Sequence, residues 1–201
     1  LMTACGDISL RNLFKGTIDF NKLRSGILNY TQIQRILENQ VQPLLALGIP
    51  DWRLDKFASL YFKLIQQTDL LIADGLTENE IEQLHRMYPV CEHLAEELNQ
   101  FSIPQTIDHC DFHENNMLFD EKTGAISIID WGEIVITHPF FSLNGCLWNL
   151  CYFNKVKPSD LTYKKLQSLC ITAWLNEYRE EQLLKALNIA NRLLGIFAAL
   201  G

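Results

Sequence analysis

The sequence predicts an α+β domain, predominantly helical, with one small β-hairpin set about midway along the chain. Three observations carry this. Before Phe101 and again after Pro139, apolar residues recur every three or four positions, the period of an amphipathic helix. Between those stretches the period gives way to short extended runs separated by turn residues. The composition of the 201 residues, 48% hydrophobic and 20% charged, is ordinary for a globular protein and excludes collagen-like, disordered and coiled-coil chains. A chain of this length buries roughly 70% of its unfolded surface, so it needs no disulfides or structural metal to hold a core.

The elements follow in order. Asp7 is placed to cap a short helix over Ile8 to Phe14, which Gly16 breaks. Tyr30 to Leu47 carries Ile33, Ile36, Leu37, Leu44, Leu45 and Leu47 at helical spacing and stops at Gly48-Ile49-Pro50; Pro43 inside it should kink or split it. Asp51 caps a long helix from Trp52 to Ala73, with Leu54, Phe57, Leu60, Tyr61, Leu64 and Ile65 on one face. Thr77-Glu78-Asn79-Glu80 is a capping box; the helix it starts runs to Met87, bends or restarts at Pro89, and continues to Phe101. Pro104 to Ile107 reads as extended. Asn116 to Asp120 and Ala125 to Ile129 read as two strands joined by the Glu121-Lys122-Thr123-Gly124 turn. Helices are expected over Phe140 to Tyr152, Leu161 to Arg179 and Glu181 to Leu200.

The net charge of −7 sits poorly with nucleic-acid binding, whose surfaces are basic. The six cysteines, Cys5, Cys91, Cys110, Cys146, Cys151 and Cys170, form no CxxC pair and read as free thiols of a reducing cytoplasm. No apolar run reaches the roughly 18 to 20 residues of a membrane span, so no membrane partner is expected. The chain opens on Leu1 and ends on the apolar run Ile196 to Gly201. Both ends read as cut, so the sequence is expected to be a fragment of a longer protein.

The chemistry is concentrated in Asp108-His109-Cys110-Asp111-Phe112-His113-Glu114-Asn115-Asn116, followed after the hairpin turn by Ile129-Asp130-Trp131-Gly132-Glu133. A loop Asp, an Asn where the hairpin starts and an Asp at its far end can converge on one point. Two oxygens from Asn116 and Asp130 suit a hard cation such as Mg²⁺, which keeps several waters and takes phosphate oxygens from its substrate. Asp111 would sit beside that ion, placed to orient or deprotonate an attacking hydroxyl.

His109-x-Asp111-x-x-x-x-Asn116, a hairpin and then Ile129-Asp130-Trp131 resembles the catalytic and metal-binding motifs of the aminoglycoside phosphotransferase and choline kinase-like family, whose fold is related to the protein kinases. The resemblance implies Asp111 as the catalytic Asp, His109 as the loop His that braces the catalytic segment, Asn116 and Asp130 as Mg²⁺ ligands, and ATP as co-substrate. It implies that residues 1–201 are the C-terminal, helical lobe of that fold, with residues 1–6 as the hinge. Thr3, Ala4 and Cys5 would then lie along the adenine. The β-rich nucleotide lobe, with its glycine-rich loop and strand Lys, has no match here. A lobe without those parts is expected to bind ATP weakly and turn over poorly. The acceptor implied is an alcohol of the aminoglycoside, choline or homoserine type, cationic in some relatives; the oligomeric state is left open. One departure stands out: where many relatives carry a loop-pinning Asp, this chain reads His138-Pro139-Phe140-Phe141-Ser142-Leu143.

The same residues admit two other readings. A degenerate kinase that only binds a ligand or protein would not need Asp111, Asn116 and Asp130 together. His109-x-Asp111-x-His113 on an extended strand would put three zinc-type ligands on one face, as in a zinc hydrolase, but no further His or Cys cluster follows. Cys110 reads as a space-filler, Trp131 as packing beside the metal loop, and Glu133 and the glutamates of 78–97 as solvated.

Overall fold

The computed structural model describes residues 6–201. It is mainly helical, with two small antiparallel sheets. Gly6 enters against Leu118: at φ +143° a β-carbon there would lie 2.8 Å from the Leu118 Cβ. The next residues form β1 (Ile8–Ser9), which pairs with β3 (Met117–Phe119), and β3 pairs in turn with β4 (Ile126–Ile128). The β3–β4 hairpin is therefore present as the sequence predicts. Asp120 closes its turn by accepting the Lys122 and Thr123 N–H groups at 2.8 and 2.9 Å, and Gly124 supplies the positive φ. A second ladder, β2 (Thr106–Asp108) with β5 (Val135–Thr137), was not expected beyond the extended run before Asp108.

Several helix boundaries differ from the sequence reading. The first helix, α1 (Leu10–Phe14), is capped by Ser9, whose Oγ accepts the Asn12 N–H at 3.3 Å; Asp7 lies before the β1 strand instead. The next, α2 (Phe20–Leu37), starts ten residues before Tyr30, capped by Asp19. Its polar first half, with Asn21, Ser25 and Gly26, hides the helical period. Its buried face is Leu23, Gly26, Ile27, Tyr30, Thr31 and Gln34, whereas Ile36 is exposed. A 3₁₀ turn (Glu38–Gln40) separates it from α3 (Val41–Ala46), the split expected from Pro43.

The stretch expected as one helix from Trp52 is two, α4 (Leu54–Ile65) and α5 (Thr68–Ala73). Asp51 does not cap α4: its carboxylate is held by Arg53 and Lys56, and the Leu54 N–H goes to the Gln105 side chain at 2.6 Å. The Thr77 capping box is formed, and α6 (Glu78–Asn99) runs through Pro89 without restarting. Pro89 is exposed, where water can satisfy the freed carbonyl. After β5 come α7 (Phe140–Asn154), α8 (Leu161–Ile171) and α9 (Glu180–Leu200). The α8 helix passes into a 3₁₀ turn at Thr172–Trp174, well short of Arg179, because Trp174 turns inward to meet Phe140 edge-on.

The core lies between α4, α6, α7 and α9, with Phe57, Phe141 and Phe197 stacked through its middle at 5.3 and 4.5 Å. By length and composition alone α9 could cross a membrane, which the sequence reading did not anticipate; here it buries Leu183, Ala186, Leu187, Ala190, Leu193 and Phe197 inside the protein. The α2 helix lies under the hairpin, so closely that a β-carbon on Gly26 would meet the buried Met117 Sδ at 2.6 Å. Gly26→Val should therefore cost about 1–3 kcal/mol by overpacking, whereas Gly145→Ala in α7, with nothing within 4 Å, should be neutral or stabilising by up to about 1 kcal/mol. Thermal unfolding of the two variants checks the opposite signs.

Candidate functional site

The site is built on the segment that leaves β2. Asp108, the last residue of that strand, is fully buried. Its Oδ1 accepts the Cys110 N–H at 3.0 Å and the Ser142 hydroxyl; its Oδ2 accepts the Ser142 N–H, in the first turn of α7, at 3.0 Å. Burial pushes its carboxyl up to about 6, against the pull of the Ser142 hydrogen bonds. The His109 N–H donates to the Tyr30 hydroxyl at 3.1 Å and the Ser142 Oγ at 3.2 Å. The loop-pinning Asp missing from residues 138–143 is thus replaced by Asp108, to which Ser142 of that stretch donates.

Cys110 then takes a left-handed conformation, φ +63°. That single residue turns the chain from the buried brace outward, so that Asp111 is about half exposed. The Asp111 Oδ2 accepts the Asn116 side-chain Nδ2 at 3.0 Å, its backbone carbonyl accepts the same nitrogen at 2.9 Å, and its Oδ1 lies 3.2 Å from the His113 Nε2. Asn116 is buried and tied to the turn through its N–H to the His113 carbonyl at 2.9 Å. Across the hairpin its own carbonyl accepts the Ile129 N–H at 3.1 Å, so Asp130 stands one residue beyond. Asp130 is exposed and left-handed, φ +66°. Two strained non-glycine residues therefore flank the candidate loop, each at a cost of about 1–3 kcal/mol.

The structure thus brings Asp111 and Asn116 into contact and leads Asp130 to the same end of the hairpin. With the Asn116 Nδ2 committed to Asp111, its Oδ1 makes no hydrogen bond among the described residues. That oxygen and the Asp130 carboxylate, which is unpaired among the described residues, are of the oxygen type that suits a hard cation whose remaining ligands are water and phosphate. His109 lies behind the loop: its ring is buried, its Nε2 donates to the Ile129 carbonyl at 2.8 Å, and it packs 4.8 Å from the half-buried Trp131. It ties the segment carrying Asp111 to the Asp130 segment. The zinc arrangement does not form. His109 spends its Nε2 on the Ile129 carbonyl, and no group of three His, Cys, Asp or Glu among the described residues could hold a metal.

Burial, with Asp108 adding to it, pushes the Cys110 thiol far up, which suits a filler and not a nucleophile. None of the five described cysteines is bridged. Glu133 is exposed, as are most of the glutamates of α6. Thr3, Ala4 and Cys5 lie outside the described residues. Sequence reasoning passed over Asp108, Tyr30 and Ser142; the one available signal was an Asp directly following the apolar extended run. Beside Cys110 a cleft of about 470 Å³ opens between α7 and α9, lined by Phe141, Trp148, Asn149, Asn191, Leu194 and Phe197 among others.

A family model described as "Phosphotransferase enzyme family" matches residues 32–193. Among solved structures, an ethanolamine kinase from Plasmodium vivax is similar at a TM-score of 0.60 and 15% identity, over 96% of this chain and 56% of that one. The chain thus spans little more than half the length of that kinase, and the likeness is one of fold. No curated protein matches.

The brace makes a pH prediction. Besides Asp108, His138 is buried at the start of α7, its Nδ1 accepting the Phe140 N–H at 3.2 Å, and burial pushes it down to about 3. The unfolded chain binds the His138 proton below about 6.5 and the folded chain does not, so His138 lowers stability as pH falls from about 6.5 to 3. Asp108 acts oppositely: the folded state binds its proton below about 6 and the unfolded state only below about 4, so it lowers stability as pH rises through that window. Melting temperatures at pH 7 and 4.5 should drop less on acidification in His138→Asn than in the parent, and more in Asp108→Asn.

Proposed function

The chain belongs to the phosphotransferase enzyme family, and from that premise we propose that it transfers the γ-phosphoryl group of ATP to a hydroxyl of a small molecule. The observation that carries this is the clamped Asp111 beside the free oxygen of Asn116, with Asp130 one residue past the facing strand position. Asp111 orients the acceptor hydroxyl and takes its proton as the oxygen attacks phosphorus; the bond from phosphorus to the β–γ bridging oxygen breaks and ADP leaves. Asn116 and Asp130 would hold Mg²⁺, which when bound neutralises charge on the phosphates. His109 keeps the two halves of the site together. Such transfer depends mainly on positioning and charge, which fits a site assembled by buried braces and two strained residues.

The acceptor cleft is read as the groove beside Cys110. Aromatic walls, two amides and no carboxylate among its lining residues favour a small alcohol with an apolar or singly cationic body, which could rest on the face of Trp148. They disfavour a polycation of the aminoglycoside kind. In this reading the chain acts as the helical lobe of the fold, and turnover by these residues alone is low. The unbridged thiols suit the cytoplasm.

Two measurements test the reading. ATP with Mg²⁺, at ten times its Kd, should raise stability by about 1.4 kcal/mol, about 3–5 °C in Tm. The shift should vanish with chelator and in Asp130→Ala, and shrink in Asn116→Ala. Absence of any shift in the parent would favour a module that binds some other ligand or protein. Asp111→Asn should keep the ATP shift while losing about 10²- to 10⁴-fold in transfer rate; full activity in that variant would remove Asp111 from the chemistry.

A further inference from the structure

We infer that His113 is the positioning residue of Asp111, holding its carboxylate through a fixed imidazole tautomer. The inference rests on Asp111 being the group that faces the acceptor hydroxyl. The His113 Nδ1 accepts the Asn115 backbone N–H at 3.2 Å, so it carries no proton. The ring proton is therefore on Nε2, the atom 3.2 Å from the Asp111 Oδ1. The second carboxylate oxygen is held from the other side by the Asn116 Nδ2 at 3.0 Å. The Asn116 amide and the His113 ring both come from one tight turn, closed by the Asn116 N–H on the His113 carbonyl at 2.9 Å.

The ring is mostly buried, with 15% of its side chain exposed, while Asp111 keeps 53%. The acid therefore faces solvent from a clamp that does not. The Asp111 Oδ2 is spent on Asn116, and its Oδ1 lies against the His113 ring. A residue needed only to close the turn would use the Nδ1 side alone, a task for which a short Asn side chain suffices. The Nε2 contact is what the imidazole adds. The hydroxyl proton goes to Asp111, and His113 restricts the rotamers from which Asp111 can receive it.

Two substitutions separate the functions of the ring's two edges. His113→Asn places an amide oxygen near the Nδ1 position, keeping the turn and removing the donor to Asp111. His113→Gln places an amide nitrogen near the Nε2 position, keeping the donor and releasing the Asn115 N–H. The direct readout is ¹⁵N-NMR of the His113 ring, which needs no turnover and decides by itself. A single Nε2–H tautomer is expected, held by the Asn115 N–H in Asp111→Ala as well, with the Nε2 resonance shifting in that variant as its carboxylate neighbour is lost. A proton on Nδ1, or a ring indifferent to Asp111→Ala, overturns the inference.

Where ATP and ethanolamine support measurable transfer, His113→Asn should lower kcat about 10-fold, part of the hundredfold that a misplaced reacting group can lose. KM for ATP and the melting temperature should not change. His113→Gln should stay within about threefold of the parent. Full kcat in His113→Asn, or a loss in His113→Gln as large, contradicts the inference. If Asp111→Asn is itself active, the reading of Asp111 fails, and the tautomer result still stands or falls alone.

Discussion

A buried carboxylate is costly unless donors surround it, and the candidate site depends on one. Asp108 sits at the end of β2 with no exposure, and the first turn of α7 and the Cys110 backbone supply its donors. This is the reverse of an exposed loop aspartate: the charge fixes the chain on both sides of itself. Because the strand end is tied to α7, the residue that follows the brace must turn sharply, and Cys110 does so in a left-handed conformation. Asp111 is then delivered to the surface at a set place. Tyr30 stiffens the same point, stacked on Phe112 at 3.9 Å and accepting the His109 N–H.

The second anchor is the hairpin. Its register, Met117 opposite Ile128, sets Asn116 opposite Ile129 and leaves Asp130 beyond. His109 bonds the Ile129 carbonyl, so brace and hairpin cannot move independently. A kinase-type reaction asks for little covalent work from its protein and much positioning. The polar groups of this region are spent accordingly: most make hydrogen bonds to one another, and the Asp111 and Asp130 carboxylates and the Asn116 Oδ1 are left facing outward.

What was legible in the sequence was local. The Asp111–Asn116 spacing, the hairpin turn and the Thr77 capping box involve residues within a few positions of one another, and each is present. What was illegible is carried across long separations. Asp108 answers to Ser142, and Tyr30 to His109, contacts that no periodicity encodes. Strands of two or three residues such as β1 and β5 exist only because a distant partner pairs them. The start of α2 is polar on the face that water sees, which masked it. Pro89 misled in the other direction, because an exposed helix face tolerates a missing donor.

The central claim is that the Asn116 and Asp130 oxygens hold the divalent ion of a bound nucleoside triphosphate. Paramagnetic broadening by Mn²⁺ with ATP, read residue by residue in NMR spectra of the protein, tests it most directly. The account predicts broadening centred on Asn116, Asp130 and Asp111, dependent on ATP and absent in Asp130→Ala. Broadening centred elsewhere, or unchanged by that substitution, would contradict it.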